Sequence, residues 1–133
     1  MSLQIIKNRP YIILFALILI FICYYYSPIF FQPNTYSLND HGDAIKNYFC
    51  YEWHVQNDSS YLDYSGSNFP FGEEHSFTDG NPLLGNFIKT FSFLKPYSLA
   101  IFNLTIIGSF FLCGWLLLRI FLLLKNPEYY SIL

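Results

Sequence analysis

The sequence predicts an all-α membrane protein in which two transmembrane helices flank an extracytoplasmic loop carrying an interfacial amphipathic helix. Three observations lead there. Two long apolar runs, within residues 11–31 and 97–124, each reach the roughly 20 residues needed to cross a hydrocarbon core. The polar stretch between them, Tyr36 to Leu84, holds eight of the nine acidic residues and all three histidines. Charged residues make up only 12% of the chain, about half the roughly 25% of a soluble domain. A net charge of −2 gives no basic surface for nucleic acid.

Residues 1–10 form a short cytoplasmic N-terminus with Lys7 and Arg9. The run Tyr11 to Tyr26 contains no charge, and Pro28-Ile29-Phe30-Phe31 prolongs it. A signal peptide competes for this segment, because basic residues precede an apolar core. Its length and the tyrosines 24–26, which stand where a small-residue cleavage site would lie, favour a retained helix closed by an aromatic belt.

The second span is expected over residues 97–124. Lys95-Pro96 precedes it, and Leu99 to Leu118 is uncharged. Arg119 lies close enough to the far end to extend its guanidinium to the headgroups. Asn103, Thr105, Gly108, Ser109 and Gly114 suit close helix packing in lipid. Cys23 and Cys113 lie in the apolar runs and Cys50 in the polar stretch, a distribution that fits packed thiols rather than a disulfide framework. Lys7 and Arg9 flank one span, and Arg119 and Lys125 the other, so the positive-inside rule puts both termini in the cytoplasm and the acidic loop, residues 32–96, outside. Beyond it, residues 125–133 form a cytoplasmic turn at Asn126-Pro127 and the start of a third apolar segment. That ending predicts a longer polypeptide.

Within the loop a helix is expected over about 41–55. Asp40 suits its N-cap, and Asp43 the acidic position of a capping box at the positive end of the helix dipole. At 100° per residue, Asp43, Lys46, Asn47, Cys50 and His54 share a polar face. Ala44, Ile45, Tyr48, Phe49, Tyr51 and Val55 share the opposite face, with Trp53 at its margin, so the helix is expected to lie aromatic side down on the membrane. Farther on, Pro70, Gly72, Gly80 and Pro82 mark tight turns that bring Glu73, Glu74, His75 and Asp79 close along the chain. Carboxylates and imidazole together suit a divalent metal, or a phosphate-bearing substrate held through one; a solvated acidic loop is the competing reading.

The order of first helix, outer loop opening with Gly42-Asp43 and Lys46-Asn47-Tyr48, the Asn68-Phe69-Pro70-Phe71-Gly72-Glu73-Glu74-His75 segment, and Thr78-Asp79 with Pro82-Leu83 before the second helix resembles the N-terminal region of bacterial multi-spanning glycosyltransferases of the GT-C type. The resemblance implies a GT-C-like bundle in the bacterial inner membrane that takes a sugar from a polyprenyl-phosphate donor on the extracytoplasmic face. It implies Asp43 as catalytic base or metal ligand, with Asp40 and Lys46 completing the catalytic set. Asn47, His75 and Asp79 are the implied substrate-binding residues, and Asp40, Asp43, Glu74 and His75 the implied ligands of a divalent metal. The later helices that build the lipid-donor groove would come from the rest of the polypeptide or from other membrane subunits, so this piece alone would be inactive. The alternative is a complete two-span protein whose outer loop is a binding module of the cell envelope.

Overall fold

The computed structural model describes residues 2–38, 41–78 and 80–125. Asp40, Asp79, the Asn126-Pro127 turn and the apolar start after it lie outside the described residues. The chain is mostly helical and divides into two units, Met1–Ser27 with Thr105–Leu133, and Pro28–Leu104.

The first unit pairs α1 (Ser2–Tyr25) with the greater part of α5 (Ser98–Lys125). The helices meet through Phe15 against Phe111, edge to face at 5.8 Å, and through Phe21 and Tyr26 against Phe110, both at 6.3 Å. Gly114 lets them approach: a Cβ there would come within 2.7 Å of the Ile18 methyl end. Most apolar side chains of both helices nevertheless face outward, Ile12, Ile20, Leu117 and Leu124 among them.

One helix among the described residues is long and apolar enough to cross a membrane, and it contains α5, whose 28 residues extend about 42 Å at 1.5 Å per residue. Only 6% of its most apolar stretch is buried, whereas the core helix of a soluble protein is mostly covered. The single helix expected over 11–31 is interrupted. Its chain bends at Tyr26, just before Pro28, and resumes as the short α2 (Ser27–Phe31), which leaves Pro10–Tyr25 as a shorter apolar helix.

The second unit is built on α3 (Asp43–Asn57), which then runs through a two-residue antiparallel ladder, β1 (Asp63–Tyr64) with β2 (Glu73–Glu74), a 3-10 turn at His75–Phe77, α4 (Pro82–Thr90) and a second 3-10 turn at Ser92–Tyr97 into the start of α5. Helix α3 begins two residues later than expected. Its N-cap is Gly42, at φ +59°, with no side-chain cap, so Asp43 is the first helical residue rather than the far member of a capping box. Gly42 occupies a left-handed conformation that a residue without Cβ adopts cheaply. Asn81 caps α4 by accepting from Leu84 N–H, with Pro82 next, the position where its missing N–H costs nothing.

The faces of α3 also differ from expectation. Tyr48, Cys50, Tyr51, His54 and Val55 are buried, while Ile45 and Phe49 are half exposed. Cys50 and His54, assigned to a wet face by period alone, point into the unit. Tyr48 and Tyr51 close on Phe102 of α5 at 4.8 and 4.5 Å, which makes an aromatic core where a membrane-facing stripe was expected.

Candidate functional site

Asn103, fully buried near the start of α5, ties three parts of the second unit together. Its amide nitrogen donates to the carbonyls of Pro33 and Tyr36 at 2.6 and 2.7 Å, and its oxygen accepts from the Tyr48 hydroxyl. That hydroxyl in turn accepts from Leu38 N–H. Burial raises the Tyr48 hydroxyl pKa, partly offset by the Leu38 bond, so the phenol stays a donor to Asn103. Asn34 adds a second tie, donating to Pro96 C=O and accepting from Ala100 N–H. One turn along α3, Tyr51 donates to Ser98 C=O at 3.0 Å, and Glu52 accepts from the Ser98 hydroxyl at 2.8 Å. Burial raises the Glu52 pKa against the lowering effect of the Ser98 and Gln56 hydrogen bonds.

These bonds hold the inner face of α3 at several points and leave its first turn open. Asp43 is exposed there, and its carboxylate has no side-chain partner among the described residues. Lys46 is exposed three residues on, within the i,i+3 spacing at which helix side chains are neighbours. Asn47 is half buried with its Oδ1 unpartnered. The three α3 members of the expected site therefore share the opening of one well-anchored helix.

His75 is elsewhere in character. It is 1% exposed and stacks on His54, ring centroids 3.6 Å apart and planes 15° from parallel. The sequence reading placed His75 in a substrate loop and did not couple it to His54, Asp58, Asn86 or Lys89. His54 Nδ1 lies 3.0 Å from Asp58 Oδ2, and its Nε2 3.0 Å from Asn86 Oδ1 and 3.3 Å from Lys89 Nζ. Asp58 Oδ1 is held by the Ser65 N–H and hydroxyl, and Lys89 also donates to Ser60 C=O. The one available signal was the spacing of His54 and Asp58, which puts an imidazole and a carboxylate one helical turn apart.

The Thr78 hydroxyl has one proton and lies at both the His75 carbonyl, 2.8 Å, and His75 Nδ1, 2.9 Å. It therefore donates to one and accepts from or faces the other. The other ring nitrogen, Nε2, is buried without a partner. Burial, then the charges of His54 and Lys89, lower the His75 pKa to about 4 against the opposing pull of Asp58. The ring is neutral near pH 7. Burial likewise lowers the Lys89 pKa, opposed first by Asp58.

Glu74 is exposed while His75 next to it is buried, so the two adjacent side chains point apart. Among the described residues no three of His, Cys, Asp and Glu converge on a common point. Asp43, Glu74 and His75 belong to no such group among the described residues, the fourth member of the expected metal set, Asp40, lies outside them, and no step is derived through a metal. Glu73 is committed locally, accepting from Ser67 Oγ and Asn68 Nδ2.

A family model described as a domain of unknown function, DUF6311, matches residues 13–133. No curated protein matches the chain, and no solved structure does.

Proposed function

We propose that this chain, which belongs to the DUF6311 family, serves sugar transfer from a polyprenyl-phosphate donor at the extracytoplasmic face of a membrane, in the manner of GT-C glycosyltransferases. In this reading α1 and α5 both cross the bilayer, the termini are cytoplasmic, and the unit Pro28–Leu104 stands outside. Further membrane helices supply the groove for the lipid chain. The observation that carries the reading is the exposed, unpartnered carboxylate of Asp43 on a helix whose inner face is fixed by Tyr48, Tyr51 and Asn103. A base must be held in place and open to its substrate at once.

The acceptor hydroxyl attacks the anomeric carbon, the bond from that carbon to the phosphate oxygen breaks, and the hydroxyl proton passes to Asp43. The polyprenyl phosphate leaves with the electron pair. Lys46, exposed three residues along the helix from Asp43, would supply the cation that the developing phosphate charge needs. Sugar transfer from a labelled polyprenyl-phosphate donor, measured in membranes containing the complete protein, tests this. Asp43→Asn should abolish transfer at unchanged protein level, while Ser76→Ala, at an exposed position of the first 3-10 turn, should not. Full activity in the Asp43 variant would end the assignment.

A second reading, a loop that binds a partner, is favoured by one feature. Beside the β1–β2 ladder lies a cleft of about 420 Å³ lined by Asp63, Tyr64, Ser65 and residues 69–74. Phe69 and Phe71 at its rim are 92% and 93% exposed, and large apolar side chains left this open mark interaction surfaces. Loss of co-purifying envelope proteins on Phe69→Ser with Phe71→Ser, at unchanged sugar transfer, would point to that cleft.

A further inference from the structure

The guanidinium of Arg119, near the C-terminal end of α5, lies over the Trp115 ring at 5.6 Å. Together with Tyr11, Ile12 and Phe15 of α1 the two side chains line a groove of about 450 Å³. Arg119 is exposed, and a guanidinium offers five N–H donors, yet no acceptor among the described residues meets it. No carboxylate of the described first unit can do so, because residues 2–27 and 105–125 contain neither Asp nor Glu.

Five apolar residues, Ile120 to Leu124, separate Arg119 from Lys125, so with α5 in a bilayer the charge starts below the headgroup level and reaches toward it. The guanidinium sits over the indole ring, and a guanidinium can bind a phosphate through two parallel hydrogen bonds.

We propose that the groove between α1 and α5 is a phospholipid site in which Arg119 binds the headgroup phosphate, Trp115 holds the guanidinium in plane, and Ile12 and Phe15 take the first part of an acyl chain. The occupant is a membrane lipid rather than a soluble anion, because all four lining side chains other than the cation are apolar or aromatic, and three of them, Ile12, Phe15 and Trp115, are exposed. The inference needs α5 in a membrane and is independent of any reaction at Asp43.

The test uses the full chain in an uncharged detergent, with phosphatidylglycerol, phosphatidylcholine or inorganic phosphate added, and counts retained lipid by native mass spectrometry. The wild type should retain a phospholipid and gain nothing from inorganic phosphate. Arg119→Gln should weaken retention about tenfold or more, as expected for loss of a charge-assisted pair. Arg119→Lys, which keeps the charge but not the fork, should fall between, and Trp115→Phe should stay near wild type. Helicity by circular dichroism checks that each variant is folded. Equal lipid retention by folded Arg119→Gln, or equal retention of inorganic phosphate, would overturn the assignment.

Discussion

His54 and His75, 21 positions apart in sequence, stack face to face with their centroids 3.6 Å apart inside the second unit. Around them stand Asp58 at the C-cap of α3, Tyr64 from β1, Asn86 and Lys89 from α4, and Thr78 after the 3-10 turn. Two imidazoles and an ammonium this close tolerate few further protons, and among the described residues Asp58 is the carboxylate bonded into the cluster.

Acid sensitivity follows from that arrangement. The folded pKa of His75 is lowered to about 4 from an unfolded value near 6.5, so the unfolded chain binds the proton more readily. Stability contributed by neutral His75 is complete above about pH 6.5, declines as pH falls, and is gone below about 4. Thermal melts of the purified chain between pH 7 and pH 4 should show this fall. His75→Gln, which cannot charge, should melt lower at pH 7 but lose less over that interval. A variant with the wild-type pH slope would remove His75 as its source.

Asn103 should be costly to replace. Asn103→Ala removes two donors from the Pro33 and Tyr36 carbonyls and the acceptor from Tyr48. A buried group left without a partner costs about 1–3 kcal/mol, so the variant should lose roughly 3 kcal/mol of the second unit's stability. Asn103→Asp, which keeps the acceptor for Tyr48 and loses the amide donors, should not recover it. Denaturant melts or hydrogen exchange over residues 41–97 would measure both.

Two glycines should respond unequally to a methyl group. A Cβ at Gly80 would lie 3.0 Å from Tyr51 N and 3.1 Å from Cys50 C, backbone atoms of α3 that cannot turn aside. Gly80→Ala should therefore destabilise by about 1–3 kcal/mol. At Gly114 the close atom is the terminal methyl of Ile18, which can rotate away, and Gly114→Ala should cost less than about 1 kcal/mol. Similar losses at both positions would contradict the packing described.

The long apolar helix and the helix after Gly42 were legible in the sequence because each rests on local signals, length in the first and period in the second. The orientation of α3 was not. Histidine and cysteine count as polar by type, so Cys50 and His54 fell on the wet face, whereas burial depends on the partners that arrive from residues 58–89. Asn103 was placed among the small polar groups that pack helices in lipid; its hydrogen bonds to Pro33, Tyr36 and Tyr48 come from segments 55 to 70 residues away, which no local pattern contains. Asp43 was legible as an exposed helix residue, since solvent requires no partner, and Lys46 is exposed on the same helix. Of the other expected site residues, Asn47 sits half buried on the same helix, His75 belongs to the buried cluster, and Glu74 faces away from it.

Membrane placement of the second unit underlies the whole functional reading. Phe77 is 83% exposed there, so Phe77→Cys in a background with Cys23, Cys50 and Cys113 replaced supplies one accessible thiol. Labelling intact cells with a membrane-impermeant maleimide should modify it without disruption. Modification only after the cells are broken open would put the Asp43 surface on the cytoplasmic side and contradict extracytoplasmic sugar transfer.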